Sequence, residues 1–396
     1  MVQLRLEDFD STVTPRLGHA LWDWKLCSDC EVGKQCATQS CSGQRISKLQ
    51  RYVQFYKAAT AGYVEEAPDT SRALRTHDDL FTAIATLRTQ PDITRTVFYT
   101  KAFPRPNGSP TLDQADLLEA TTLVMRIFLM IESSPVHYSS TRLESGGLRV
   151  PWRDDVPFSQ YLDQLFPKTT HRVFSFADSE TFADVKIELR ATKLRKHLGV
   201  TFRATHDIRN HLAYDYRDNT IDIYHHAAFL KEQLRATKGL DQPLNGPVSA
   251  ADTIPLGSLP RQLVLETLDS VQAILFPLSE PKSKALLKET IASCSLDPEI
   301  SNFEYSAVRN TGEEKISYVY LADRLAGLHH ELQNPRPRGW LERVVERKSG
   351  ARYMMMATLI GVLFAVLLGI LSLGVSSYQT WIAYQAWKHP VATPSD

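Results

Sequence analysis

The chain has no excess charge of either sign: across 396 residues, 45 Lys and Arg oppose 45 Asp and Glu. That balance excludes nucleic-acid binding by bulk electrostatics, and it excludes an acidic or basic disordered tail as the dominant feature. No secretory leader is expected either, because the opening MVQLRLEDFDSTV has acidic residues where a signal peptide needs an apolar stretch. There is no Walker loop, no G-x-G-x-x-G, no G-x-S-x-G elbow and no kinase motif set, so no enzyme class is written in the sequence. Long apolar runs are absent with one exception. The remaining composition, 43% apolar and 23% charged with a mean hydropathy of -0.25, is that of a soluble globular protein long enough for one large or two ordinary domains.

The exception is residues 354–375, MMMATLIGVLFAVLLGILSLGV, which carry no charge and only Thr358 and Ser372 as polar side chains. As a helix, these residues span about 33 Å, which matches a hydrocarbon core of roughly 30 Å. The next most apolar run, 117–131, is broken by Glu119, Thr121, Thr122 and Arg126 and suits a soluble amphipathic helix. Before the span, Arg336, Arg338, Arg343, Arg347, Lys348 and Arg352 stand against Glu342 and Glu346, a net +4, while only Lys388 is firmly basic beyond it. Cytosolic flanks keep the basic excess, so the sequence predicts a single-pass protein of an intracellular membrane, with residues 1–353 in the cytosol and a short tail on the far side. Such a tail requires post-translational, tail-anchored insertion. The six basic residues are then placed to meet anionic lipid headgroups, and Tyr378, Trp381, Tyr384 and Trp387 to form an interfacial aromatic belt. Ala357, Gly361, Ala365 and Gly369 recur every fourth residue, a small-residue stripe that suits self-association or a helical partner. With no ionisable side chain, the span itself offers neither a proton relay nor an ion path.

Periodicity elsewhere predicts a mainly α fold with a small β-hairpin element. The expected organisation is an N-terminal segment (1–70), a mainly helical cytosolic domain (71–240), a Pro- and Gly-rich linker or exposed loop (241–260), a helical subdomain (261–335), a basic juxtamembrane helix (336–353), the transmembrane helix (354–375) and an aromatic interfacial tail (376–396). Helices are expected over 43–60, 72–88, 111–131, 159–166, 182–197 and 226–237, and extended chain over 95–103, 212–216 and 220–224. Arg217, Asp218 and Asn219 make the hairpin turn between the last two. After the linker, Val264, Leu268, Val271 and Leu275, and later Leu321, Leu325, Leu328 and Leu332, lie on helical stripes that read as core faces.

Two groups of residues could carry chemistry. Cys27, Cys30, Cys36 and Cys41 follow the spacing C-x2-C-x5-C-x4-C, close to a zinc knuckle with cysteine in place of histidine. In a reducing cytosol the alternatives are a structural zinc site or free thiols, with disulfides only in an oxidising compartment. Cys294 stands apart and reads as a core residue. His197, His206, His211, His225 and His226 fall within 30 residues, together with Asp207, Asp215 and Asp222, a donor set suited to a metal-dependent hydrolytic site. No spacing among them matches a known motif, and adjacent His225 and His226 are expected to point apart, so structural histidines are the expected outcome.

The text from Asn334 to Pro390, with THDIRNHLAYDYRDNTIDIYHHAAFLKEQLRATK and IPLGSLPRQLVLETLDSVQAILFPLSEPKSK upstream, resembles a large group of uncharacterised proteins from filamentous fungi. The resemblance covers roughly residues 70–390. It implies the architecture of a cytosolic helical region with one C-terminal span, and it brings no catalytic residue. The sequence therefore predicts a tail-anchored interaction or scaffold protein with protein partners and no nucleic acid. The alternative is a membrane-tethered metal-dependent enzyme using residues 197–226.

Overall fold

A computed structural model describes residues 4–31, 36, 41–66, 72–104, 112–133, 151–175, 180–240, 249–335 and 352–388. The chain is mainly helical with one small sheet, as its periodicity predicts, and it divides into two units, Met1–Gln333 and Asn334–Asp396.

The first unit opens with α1 (Val13–Trp22), which ends in a left-handed Asp23, and the single turn α2 (Ser28–Glu31). A 3-10 helix, Ser42–Leu49, then runs directly into α3 (Gln50–Glu66). The next helix, α4 (His77–Thr89), begins five residues later than the sequence suggests. Thr76 closes a capping box with Asp79 and fixes the start there. Residues 95–103 were expected to be extended because they are rich in β-branched and aromatic side chains, but they form α5 (Arg95–Ala102). Phe98 and Ala102, one helical turn apart, are both buried, and this packing outweighs the intrinsic strand preference. In α6 (Gln114–Leu129) the cap is Asp113, with Thr111 outside the described residues. The chain continues through α7 (Phe158–Leu165), α8 (Glu180–Glu188) and α9 (Ala191–Leu198), so the single helix expected over 182–197 is broken at an extended Arg190.

The sheet follows. It has β1 (Thr201–Thr205), β2 (Tyr214–Asp215) and β3 (Thr220–Tyr224) in the order β1-β3-β2. The expected hairpin is β2 with β3, turned at a left-handed Asn219. The third strand was not foreseen: β1 pairs in parallel with β3, with Thr205 opposite Tyr224. All of β3 is buried, as a central strand covered on both faces must be. It leads into α10 (Ala227–Ala236).

Within 241–260 the described part, from Ser249, is packed. It forms α11 (Ala250–Thr253), buries Ile254 and Leu259, and brings Gly257 so close to the Leu21 carbonyl that a Cβ there would stand 1.8 Å from it. Next, α12 (Arg261–Asp269) is buried on every side and continues as one π-helical stretch, Ser270–Leu275. Its polar residues are fully engaged. Arg261 pairs with Glu313 at 2.6 Å, Asp269 accepts from Arg309 and Tyr318 at 2.7 Å, and Glu266 accepts three backbone N–H groups from residues 319–321. The unit closes with α13 (Pro281–Cys294), α14 (Tyr305–Val308) and α15 (Ala322–Gln333). Elements on both sides of 241–260 share one hydrophobic core.

The second unit contains α16 (Arg352–Lys388). At ~1.5 Å per residue its 37 residues extend about 55 Å, well past a hydrocarbon core. The helix therefore carries on through the aromatic segment, where Tyr378 stacks on Trp381.

Candidate metal centres

The four clustered cysteines converge. Cys27 precedes α2, Cys30 lies within it, Cys36 follows, and Cys41 caps the 3-10 helix. Their sulfurs lie within 4.8 Å of one another, with Cys27 to Cys36 at 3.9 Å and Cys30 to Cys41 at 3.8 Å. A disulfide needs about 2.05 Å, so these are free thiols. Thiolates around zinc at ~2.3 Å would stand about 3.8 Å apart along each tetrahedral edge, which is the spacing found. The backbone supports the same geometry: the N–H groups of Cys27 and Gly43 both donate to Cys41 Sγ at 3.3 Å. Such donors neutralise part of a thiolate's charge and orient its lone pairs. Gly43 is required here, because a Cβ at that position would lie 2.2 Å from Cys30 Sγ. Charge completes the argument. The Cys30 backbone N–H brings the Cys27 thiol down to about 7, while burial, with the neighbouring sulfurs, pushes Cys30 up. Four thiolates cannot share this space unless a cation joins them.

The cysteine segment is tied to the rest of the unit. Arg45 pairs with Glu232 at 2.9 Å and lies over Trp24, and Lys48 pairs with Glu304 at 2.5 Å. Arg235 joins Glu232 to Glu304.

Three of the five clustered histidines also meet. His206 Nδ1 lies 2.8 Å from His226 Nε2 and 3.3 Å from His225 Nε2, so the adjacent pair does not point apart as expected. The register of β1 with β3 explains this, since His206 and His225 each follow one partner of the terminal pair Thr205–Tyr224. Burial holds all three rings below the ordinary histidine range, His225 at about 3, with help from neighbouring His206 and Arg51. His206 and His225 face a cleft of about 400 Å³ lined also by Arg51, Phe55, Arg126 and Cys294, with His226 buried behind them. Cys294 is therefore half-buried at a cleft wall, where its thiol donates to the Phe202 carbonyl, and is not enclosed in the core.

The other candidates have different tasks. His197 is exposed. His211 is a satisfied core residue, with Nε2 2.7 Å from Ser270 Oγ and Nδ1 accepting the Tyr224 N–H. Asp207 pairs with Arg209, Asp222 pairs with Arg203, and Asp215 caps the hairpin turn. No carboxylate joins the histidine group in the described residues. Arg51, Phe55 and Arg126 escaped sequence reasoning because each lies on the buried or half-buried face of an ordinary helix. Only tertiary packing aims them at one place.

In α16 the apolar side chains from Leu359 to Val375 are exposed, and a Cβ added to Gly361 or Gly369 would meet nothing within 4 Å. Arg336, Arg338, Arg343, Arg347 and Lys348 lie outside the described residues, as do the side chains of Arg352 and Ala357. No family model, curated protein or solved structure matches the chain.

Proposed function

We propose that this is a tail-anchored protein of an intracellular membrane that displays a helical, zinc-stapled domain in the cytosol as an interaction or scaffold platform for protein partners. One observation carries the reading. The helix over Thr358–Lys388 holds an 18-residue apolar window with a mean hydropathy of 2.6, none of which is covered, whereas residues to Gln333 close a core of their own. A lipid bilayer is the natural cover for so much apolar surface. The basic flank ahead of the helix supports a cytosolic N-terminus, and the open stripe at Gly361, Ala365 and Gly369 suits a second copy of the helix. The likeness to the fungal group agrees with this architecture.

In the cysteine cluster, zinc would be held by Cys27, Cys30, Cys36 and Cys41 and would fix the segment that leads into α3. Protease treatment of intact and then permeabilised membranes, with each terminus tagged, tests the anchor. Loss of the N-terminal tag with protection of the C-terminal one is expected, and the opposite pattern would remove the cytosolic platform. The metal-dependent enzyme reading gains the convergence of three histidines but not the carboxylates it relied on, which are engaged elsewhere.

A further inference from the structure

We propose that His206, His225 and His226 form a second metal site, a three-histidine set for a divalent transition metal of the zinc class, with an anion from the cleft completing its coordination. None of its ligands comes from the membrane helix or from the cysteine segment.

Hydrogen-bond accounting carries the argument. An imidazole nitrogen has one in-plane lone pair. His206 Nδ1 faces two nitrogens, at 2.8 and 3.3 Å, and cannot accept from both. The group therefore cannot satisfy itself, and the Nδ1 atoms of His225 and His226 are buried with no partner among the described residues. A cation among the facing nitrogens accepts their three lone pairs at once and leaves only the two Nδ1–H groups without a partner. With Zn–N bonds of ~2.0–2.1 Å, tetrahedral edges are about 3.3–3.4 Å. Of the three edges, His206 to His225 already has that length, His206 to His226 reaches it by a half-ångström shift of His206, which lies at the surface, and all three nitrogens lie within 4.8 Å of one another. Imidazole sets of this kind suit zinc, copper and nickel. The rings are positioned by packing: Phe55 lies 4.9 Å from His206 and 5.6 Å from His226, with Tyr52 edge-on to His226.

The same facts set the strength and the fourth ligand. Ligating histidines normally donate their second N–H to a partner, and losing such partners costs about tenfold to a hundredfold in affinity. Two of these three rings have none, so this site is the weaker of the two. Three neutral imidazoles leave the metal's full charge uncompensated. The charged side chains lining the cleft are Arg51 and Arg126, and both draw an anion to the open position.

The test uses the full-length protein in detergent micelles, stripped of metal and titrated with Co(II). Two equivalents are expected. The first should bring a thiolate-to-cobalt charge-transfer band. The second should bind at least tenfold more weakly, with visible ligand-field bands and no thiolate signature. His206→Gln, at the surface, should abolish the second equivalent and leave the first, with an unchanged circular dichroism spectrum; His225→Gln should do the same. Inorganic phosphate should shift the second set of bands, and Arg51→Ala with Arg126→Ala should remove that shift. A single, thiolate-bound equivalent, or a second one that survives both histidine variants, overturns the site. Bands indifferent to phosphate overturn the anion. Loss of only the charge-transfer band would instead count against zinc at the cysteines.

Discussion

The two ligand clusters are assembled by opposite means. Four sulfurs meet within one short segment of sequence, with backbone N–H groups donating to Cys41 Sγ and a glycine leaving room for Cys30. Three imidazoles meet because two strands pair in one register, with packing alone to hold the rings and two guanidiniums at the rim. The first arrangement is braced, anionic and closed. The second is crowded, neutral and open to a cleft. A braced site suits a structural ion that stabilises the fold, and an open one suits an ion that exchanges or takes a ligand. The clusters are also connected, because the 3-10 helix capped by Cys41 continues into α3, which carries Arg51 and Phe55 into the histidine cleft.

The largest expected effect is on the braced side. Cys41→Ser removes a thiolate ligand and puts a shorter hydroxyl where two backbone N–H groups meet the sulfur, and should cost at least ~3 kcal/mol, on the order of 5–10 °C in Tm. A strong chelator should bring the wild type down to the same value and leave the variant unmoved. Gly43→Ala should reproduce part of the loss by crowding Cys30, about 1–3 kcal/mol. Because the 3-10 helix capped by Cys41 runs into α3, which carries Phe55 against His206 and His226, Cys41→Ser should also weaken cobalt binding at the histidines. Unchanged metal content and melting in Cys41→Ser would reduce the cluster to ordinary free thiols, and an unchanged histidine affinity would separate the two centres.

A smaller effect separates satisfied from unsatisfied histidines. His211→Phe strands the Tyr224 N–H in the core and removes the donor to Ser270, whose hydroxyl keeps its bond to the Thr267 carbonyl, and should cost about 1–3 kcal/mol without metal. His226→Phe removes only its bond to His206, which is exposed and also faces His225, and it sits among aromatic rings, so about 1 kcal/mol or less is expected. Both changes should also flatten the acid limb of stability. Burial holds His211 at about 3 against an ordinary 6.5, so the unfolded chain takes up protons from about pH 6.5 downward while the folded one does not. Stability is therefore complete above pH 6.5 and declines toward pH 3. Urea midpoints at pH 7 and pH 4.5 check both claims, and equal losses in the two variants would erase the distinction.

These contrasts also explain what could be read from the sequence. The apolar span and the cysteine spacing are local properties, so length, composition and C-x2-C-x5-C-x4-C were enough to find α16 and the sulfur cluster. The hairpin was legible from Asn219 and its flanking alternation. The meeting of His206 with His225 and His226 was not, because it depends on a parallel pairing between strands nineteen residues apart in register, and no local pattern announces that. Residues 95–103 were misjudged for a related reason: the burial of Phe98 and Ala102 is decided by what packs against them.

The smallest effect concerns a single proton. With Cys27 brought to about 7 and Cys30 pushed up, metal-free protein should alkylate first at Cys27, with a rate midpoint near pH 7, while Cys30 stays unreactive. Zinc should protect both. A midpoint near the ordinary ~8.5 would mean that the Cys30 N–H no longer faces Cys27 once metal is gone, so that the segment is folded by its ion and is not preformed. The sign bears on the comparison between clusters. A thiolate with a lowered pKa contributes above its ordinary value and is lost as the pH falls through about 7, whereas His225 takes a proton only near 3. Between those limits protons compete for the Cys27 sulfur and leave His225 alone. Acidification should therefore narrow the affinity gap that neutral pH sets in favour of the cysteines, a trend that cobalt titrations at pH 7.5 and pH 5.5 would measure directly.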